Sequence, residues 1–552
     1  MTNYQFTGGT ICAPATIPGT GAISIIRVSG KESLAIADKV IDTKGVPIAE
    51  TEGYRLRYGT VFEADGSILD NVIVSVFRAP HSYTGEDSVE ISCHASRFIV
   101  NKILEFLVNA GARIAAPGEF TRRAFVNGKM DLAQAEAVAD VIASQSAASH
   151  RVAMNQLKGG FSSELKVLRE KLLTMTSLLE LELDFSEEDV EFASRKELGQ
   201  LVDDSLTHIG RLTASFSRGN AIKNGVPVAI VGATNTGKST LLNALLGEER
   251  AIVSDIAGTT RDTIEETLNI DGILFRFIDT AGIRETDETI EKIGIDRTFK
   301  KLGEAAIVLG MTDLSRGRAA VLEDADFILS KVNEMGGVKN VGAENGGSGT
   351  DGASLAETDG TSRSETGGTP QAETGVASQH GHGAGQERKV VILVNKCDVA
   401  GDFYRDDNGT GDGSGNDLCK NMAEIGGNKN VNHNNNIVSL IENKYDNCKV
   451  IPISAKTGKG LSTLTKTLGE IGSEITGSTD ETLVTNVRHY EALVRAASAL
   501  ERVRAGLHIA TLPPDLIAQD LREALYHLGE IVGEISTDET LGNIFRNFCI
   551  GK

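Results

Sequence analysis

The segment Gly232-Ala-Thr-Asn-Thr-Gly-Lys-Ser239 fills every fixed place of the pattern G-x-x-x-x-G-K-[ST] and directly follows the apolar run Val228 to Val231. A strand, a loop and a helix start are therefore expected here. Backbone N–H groups of such a loop wrap a triphosphate, Lys238 reaches the β and γ oxygens, and the Ser239 hydroxyl takes Mg²⁺ at a favourable helix N-terminus. Thr240 to Leu246 has the apolar content a helix needs to pack on a sheet. Taken alone, the segment also suits a Gly-rich turn before a helix, so three motifs later in the chain decide between the two.

Asp279-Thr280-Ala281-Gly282 comes after the largely apolar run Leu274 to Ile278, where a D-x-x-G turn places an Asp behind the metal and a Gly amide at the γ-phosphate. Asn395-Lys396-Cys397-Asp398 ends the run Val390 to Val394, and Asp398 is placed to accept from the N1–H and exocyclic amine of guanine. Adenine lacks both donors in that arrangement and would leave a buried carboxylate unpaired, so the motif selects GTP over ATP. Ser454-Ala455-Lys456 after Val450 to Ile453 adds a backbone contact to the guanine carbonyl. Motifs in this chain order, each after an expected strand, predict a Ras-like P-loop G domain with a parallel sheet.

The switch region is more particular. Gly258-Thr259-Thr260-Arg261-Asp262 offers Thr260 as the second hydroxyl for Mg²⁺, while Ile283 follows Gly282 where Ras-like enzymes carry the Gln that orients water. An apolar side chain cannot position a nucleophile. Something else must polarise the water, and a positive charge must offset the charge developing between the β and γ phosphates. Asn235 in the phosphate loop suits a monovalent-cation ligand at that place, and equally a loop-stabilising Asn.

The end Phe548-Cys549-Ile550-Gly551-Lys552 and the stretch Pro117 to Phe125, with Asn127, Lys129, Asp131 and Leu132, complete a resemblance to the MnmE/TrmE family of tRNA modification GTPases. It runs over the whole chain except two inserted segments. The resemblance implies GTP contacts at Asn235, Thr236, Gly237, Lys238, Ser239, Thr240, Ser254, Asp255, Ile256, Ala257, Gly258, Thr259, Thr260, Asp279 to Gly282, Asn395, Lys396, Asp398 and Ser454 to Lys456. It implies K⁺ held by Asn235, Thr259 and the carbonyls of Ser254 and Ile256, and catalysis by Lys238, Thr259, Thr260 and Glu291, the last orienting water through a second water. On spacing alone Glu291 is one of several acids in a solvated helix start. Thr234 departs from relatives, which usually carry Pro there, but removes no ligand.

For the amino-terminal part the family implies a folate-binding α+β domain that pairs in a homodimer, with Arg27, Glu90, Lys129 and Lys552 toward 5-formyl- or methylene-tetrahydrofolate. Alone, each of these reads as a surface ion pair. The family further implies work with the flavoprotein MnmG in a heterotetramer, building a carboxymethylaminomethyl-type group at carbon 5 of the tRNA wobble uridine (U34). Cys549 is open between a nucleophile and a packed role, since Phe548 and Ile550 offer it no base.

At 552 residues the chain is too long for one core. We expect a multidomain α/β and all-α protein: 1–128 folate-binding and dimerising, 129–221 the first half of a helical domain, 222–478 the G domain, and 479–552 the second helical half. Leu165, Leu168, Leu172, Met175 and Leu179 form one apolar stripe, and Leu493, Ala496, Leu500, Val503 and Leu507 a second, so the two halves are expected to make one discontinuous bundle. Residues 336–388, dominated by Gly, Ser, Thr, Glu and Ala, and residues 401–447, with Asp-Asp-Asn-Gly, Gly-Asp-Gly-Ser-Gly and the His433 to Asn436 run, are expected to be disordered inserts. Six scattered cysteines without C-x-x-C spacing indicate neither zinc nor a disulfide framework. No apolar run reaches about 18 residues, and Met1 to Arg27 lacks the pattern of a signal peptide, so a cytoplasmic protein without membrane contact is expected. The formal charge of −21 disfavours an extended nucleic-acid surface but leaves Arg122, Arg123 and Lys129 as local contacts. The alternative reading is a ribosome-assembly GTPase switch of the Era/Der type. Such a protein needs an RNA-binding module or a second phosphate loop, and the sequence offers neither. A stand-alone stress GTPase would differ in leaving tRNA nucleosides unchanged when lost.

Overall fold

The computed structural model describes residues 8–184, 194–249, 266–278, 303, 305–334, 388–398, 437–445, 448–477, 481–508, 513–535, 537–546, 548 and 551. The chain divides into two compact units, Met1–Lys223 with Ser478–Lys552, and Asn224–Gly477.

The first unit begins with strands β1 (Ile11–Pro14), β2 (Ile23–Ser29), β3 (Arg55–Phe62), β4 (Ile68–Phe77), β5 (Ser88–His94) and β6 (Arg113–Ile114), in sheet order β3-β4-β5-β2-β1-β6. All neighbours are antiparallel except β1 and β6. Alternation along the strands turns Ile26, Val28, Val72, Val74, Val76, Val89 and Ile91 to one face, where helices Ser33–Val40 and Arg97–Asn109 cover them with Leu34, Ile36, Ile103 and Leu107. The other face carries Arg27, Glu90, Ser75 and Leu56 in one row of paired positions. The next row holds Tyr58 and Ile73, which with Leu56 stay 65, 47 and 67% exposed respectively.

The rest of this unit is helical. The long helices Gly160–Asp184, Arg195–Asn224, Val487–Leu507 and Pro514–Val532 bury the two expected stripes in one core, where Leu165, Leu168, Leu172 and Leu179 join Leu493, Ala496, Leu500 and Val503. Met175 and Leu507 pack at its margin. Helix Leu132–Ala143 opens on a capping box in which Asp131 accepts from the Gln134 amide and Gln134 returns a bond to the Asp131 amide. A cap of this kind is worth about 1 kcal/mol.

The second unit is a sheet of β7 (Val226–Gly232), β8 (Glu266–Ile270), β9 (Ile273–Ile278), β10 (Ile307–Asp313), β11 (Lys389–Asn395) and β12 (Cys448–Pro452), in order β12-β11-β10-β7-β9-β8. Every pair is parallel except the edge hairpin β8–β9, so the expected parallel sheet carries one antiparallel edge strand. The central strands read as unbroken apolar runs because helices cover both faces. Chain order reverses at β7, which puts the loop after it at the topological switch point where such sheets bind ligands.

One expectation is corrected here. The segment 401–447 is not loop throughout: Ile437–Lys444 is a helix, with Ile437 and Ile441 buried against Val321, Ala325 and Ile328 of helix Arg318–Glu334 or its neighbours in the same core. Lys444 and Tyr445 both bind Asp326, at 2.6 and 2.8 Å. Two Ile at four-residue spacing suffice to seat a short helix on a neighbour, and the Gly- and Asn-rich stretch before them hides that signal.

Candidate functional site

The loop after β7 leads into helix Lys238–Glu249, placing Thr236, Gly237, Lys238, Ser239 and Thr240 at a helix start. Asn235 adopts a left-handed conformation, φ 61°, which Asn tolerates better than most side chains. The Lys238 ammonium folds back on the loop and donates to the carbonyls of Gly232 and Ala233, both at 2.8 Å. Burial pushes its pKa down, since the charge is partly removed from water. An anion cradled by the loop would offset that charge.

Asn395 ties this loop to the two others. Its Nδ2 donates to the Thr236 carbonyl at 2.6 Å, and its Oδ1 accepts from the Ala455 amide at 3.0 Å. A side chain at Gly237, φ 98°, would run into that Asn395 amide. Lys396, also left-handed, donates to Asp313 at the end of β10 at 2.6 Å. Burial alone would raise the Asp313 carboxyl, but bonds from Lys396 and from Ser315 bring it below the usual range. Asp398 follows half-buried, and Ser454 is fully buried, bonding the Thr457 amide through its hydroxyl at 3.3 Å. Lys456 lies in the turn between Ser454 and Lys459, whose backbones pair. The sequence did not point to Asp313, although it is the polar residue that ends an apolar strand beside the loops.

In the first unit, Arg27 and Glu90 are cross-strand partners on the open face of the sheet. Nε and Nη2 of Arg27 both donate to Glu90 Oε1, at 3.0 and 2.8 Å, and Nη1 reaches the Gly551 carbonyl at 3.5 Å. The guanidinium lies over the rings of Tyr83, 5.0 Å, and Phe120, 5.6 Å. Burial raises the Tyr83 phenol, whose OH meets Thr121 at 2.8 Å. Lys129 is exposed and donates to the Pro80 carbonyl at 3.0 Å, while neighbouring Asn127 holds the Thr84 carbonyl at 2.7 Å. The loop around Tyr83 thus joins Arg27 to Lys129. Tyr83 and Phe120 were missed because isolated aromatics carry no spacing signal.

Arg123 is corrected as a nucleic-acid contact. It is 3% exposed and bound to Glu86, Glu119 and the Gly9 carbonyl, so it holds the helix Glu119–Val126 in place. Ser254, Asp255, Ile256, Ala257, Gly258, Thr259, Thr260, Asp279, Thr280, Ala281, Gly282, Glu291, Cys549 and Lys552 lie outside the described residues. Cys12, Cys93, Cys397 and Cys448 are buried and in no disulfide, and burial pushes Cys12, Cys93 and Cys448 up to about 11, far from a reactive thiolate.

Comparison with known proteins gives matches over nearly the whole length. Residues 10–129 match the family described as GTP-binding protein TrmE N-terminus, and residues 132–549 match the MnmE helical domain. The tRNA modification GTPase MnmE of Parabacteroides distasonis is 45% identical over 546 residues, covering 98% of this chain and 100% of that protein. Its namesake in Bacteroides thetaiotaomicron is 44% identical, covering 98% and 99%. That of Porphyromonas gingivalis is 42% identical, covering 100% and 99%.

Proposed function

Because the chain belongs to the MnmE/TrmE family of tRNA modification GTPases, and so hydrolyses GTP in tRNA modification, we propose that it does so as a K⁺-activated homodimer acting with MnmG on the wobble uridine (U34). A folate bound in the first unit supplies the one-carbon unit for the substituent at carbon 5. The observation that carries the folate part is the Arg27–Glu90 pair on the open sheet face, flanked by Tyr83 and Phe120 and reached by the chain end at Gly551. Glu90 spends one oxygen on Arg27, and a carboxylate has further lone pairs for the N–H edge of a pterin. Lys129 stands at the exposed side for a glutamyl tail, with Lys552 as the fourth contact.

In the second unit the loop amides and Lys238 bind and orient the phosphates, and Ser239 with Thr260 would hold Mg²⁺. Asn235, Thr259 and the carbonyls of Ser254 and Ile256 would hold K⁺ where charge develops between the β and γ phosphates, and Glu291 orients the attacking water. Asp398 reads the guanine edge. The partial burial of the Lys238 ammonium, bonded to the loop carbonyls of Gly232 and Ala233, supports an anion in that loop as the ligand. The exposed Leu56, Tyr58 and Ile73 on the sheet support pairing of two copies through that face. Among the described residues no helix is long and apolar enough to cross a membrane.

The test is calorimetric titration of 5-formyltetrahydrofolate into the whole protein and into Arg27→Ala. Binding to the native chain that weakens at least about tenfold in the variant is expected, since a charge-assisted pair is worth roughly 1.5–3 kcal/mol. A native chain that takes up no folate sinks this part of the reading and leaves the GTPase standing. Replacing K⁺ by Na⁺ in a GTP hydrolysis assay tests the cation separately, and an unchanged rate would remove K⁺ from the scheme.

A further inference from the structure

Helix Leu132–Ala143 holds both chain segments through which the second unit is spliced into the first. On the outgoing side, Lys223 closes the first stretch of the first unit and its Nζ lies 2.8 Å from Asp140 Oδ2. On the returning side, Arg488 donates to both oxygens of Glu136, each at 3.0 Å, and His489 Nε2 lies 2.6 Å from Glu136 Oε2. Glu136 and Asp140 are four residues apart and share one helix face.

The two segments are also locked to each other. The Val484 amide donates to Ser215 Oγ at 3.1 Å, and a Cβ at Gly219 would collide with the Val484 carbonyl. Gln156 of the next helix, Ala147–Leu157, donates to Thr485 Oγ1 at 3.2 Å. The helix Leu132–Ala143 starts at the Asp131–Gln134 capping box, two residues after Lys129, and Asn127 ties that start to the Tyr83 loop through Thr84. One element of 12 residues therefore carries both splice anchors in its middle and leads at its N-terminus into the Lys129 loop.

We propose that Glu136 and Asp140 are positioning residues: they transmit the nucleotide state of the second unit, through the helix Leu132–Ala143, to the backbone of residues 127–135 and hence to Lys129. The helix moves as a unit because its first turn is capped and its body is buried through Leu132, Ala133, Ala135 and Ala137. A displacement of the splice then pulls on two carboxylates of one face, and a little over one turn before Glu136 the helix begins at the Lys129 loop. The inference rests on GTP binding and hydrolysis alone, so it stands or falls independently of folate.

Hydrogen exchange of the full chain, read by mass spectrometry with GDP and with a non-hydrolysable GTP analogue, tests it. In the native protein the amides of residues 127–135 should differ between the two nucleotides by about fivefold or more, the lower end of ordinary coupling between sites. Asp140→Asn, and separately Lys223→Met and Glu136→Gln, should abolish the difference while basal GTP hydrolysis stays within about twofold, as none of these side chains belongs to the nucleotide site. The exchanged pair Asp140→Lys with Lys223→Asp should restore it. Equal exchange with both nucleotides in the native chain overturns the proposal. So does a variant in which exchange rises equally in both states, which is what loss of a merely structural ion pair gives.

Discussion

His489 is fully enclosed, its ring 5.3 Å from that of Phe161, its Nε2 against Glu136, and its Nδ1 without a hydrogen-bond partner among the described residues. Burial lowers its pKa, more than the neighbouring carboxylate raises it. The ring is therefore neutral in the folded chain, and Arg488 carries the charge opposite Glu136. Burial would raise Glu136, yet the hydrogen bond from the His489 ring and the charge and bonds of the Arg488 guanidinium bring it well below the usual carboxylate range. Linkage sets the signs. Below about pH 6.5 an unfolded His takes up a proton that the folded ring refuses, so the unfolded state binds more protons and stability falls with pH by about 1.4 kcal/mol per unit down to the lowered pKa. The Glu136 contribution is present above the ordinary carboxylate pKa and is lost only in stronger acid, as pH falls through its lowered value. Thermal unfolding between pH 7 and 5.5 should show a falling midpoint in the native protein and a flatter profile in His489→Gln; parallel profiles would mean that another group sets the slope. Asn395 gives a second expectation. Asn395→Ala leaves the Thr236 carbonyl and Ala455 amide unpaired in a buried place, at roughly 1–3 kcal/mol. Guanine-nucleotide affinity in a fluorescence titration should drop about 10- to 100-fold, since 1.4 kcal/mol is a factor of ten. The loops after β7, β11 and β12 were legible in the sequence because each ends an apolar run with small or polar residues at fixed spacing. The Glu136–Arg488 pair was not, because a bond between residues 352 positions apart leaves no local mark.

Helices with a long single stripe were the elements most open to sequence reading. Leu172 lies in such a stripe and is fully buried, so Leu172→Ala should cost about 2–5 kcal/mol in chemical denaturation. The strands of the first sheet were legible where alternation is clean: Ala22 to Val28 became β2, and Asn71 to Phe77 became most of β4. Ile437–Lys444 was lost to averaging, since a composition argument over a long window cannot see an eight-residue helix at its edge. Its position divides the insert for experiment. Removing residues 405–432 should change the unfolding midpoint of the G domain little, because it keeps about ten residues between Asp398 and Ile437 and closure entropy alters by only about 0.6 kcal/mol per halving. Removing 401–447 also takes away Ile437 and Ile441, each worth about 1.5–3 kcal/mol buried, and should lower the midpoint clearly. Equal behaviour of the two deletions in calorimetry would show that the helix adds nothing to stability.

At the scale of the whole molecule, the order of patterns along the chain announced the architecture: alternating strands first, then a helical stripe, then apolar runs that each end in a nucleotide loop, then a second stripe. What could not be read is how the interruption is sealed. Gly219 is one of many glycines in the sequence, and only the crossing of its helix by the Val484 carbonyl explains why no side chain fits there. The open face of the first sheet raises the last question of scale, which is whether one chain is the working unit. Leu56, Tyr58 and Ile73 stand together in adjacent rows of β3 and β4 and face water. A patch of that kind costs solubility unless a partner covers it. A second copy is the economical partner, because the same patch on both chains is self-complementary about a two-fold axis. Its loss should then separate assembly from folding. Tyr58→Asp places a charge at the centre of the patch without touching the buried face beneath, so circular dichroism and GTP binding should stay native while sedimentation shifts from dimer to monomer. A native chain that sediments as a monomer at micromolar concentration, or a Tyr58→Asp variant that still sediments as a dimer, would move the pairing surface elsewhere or remove it.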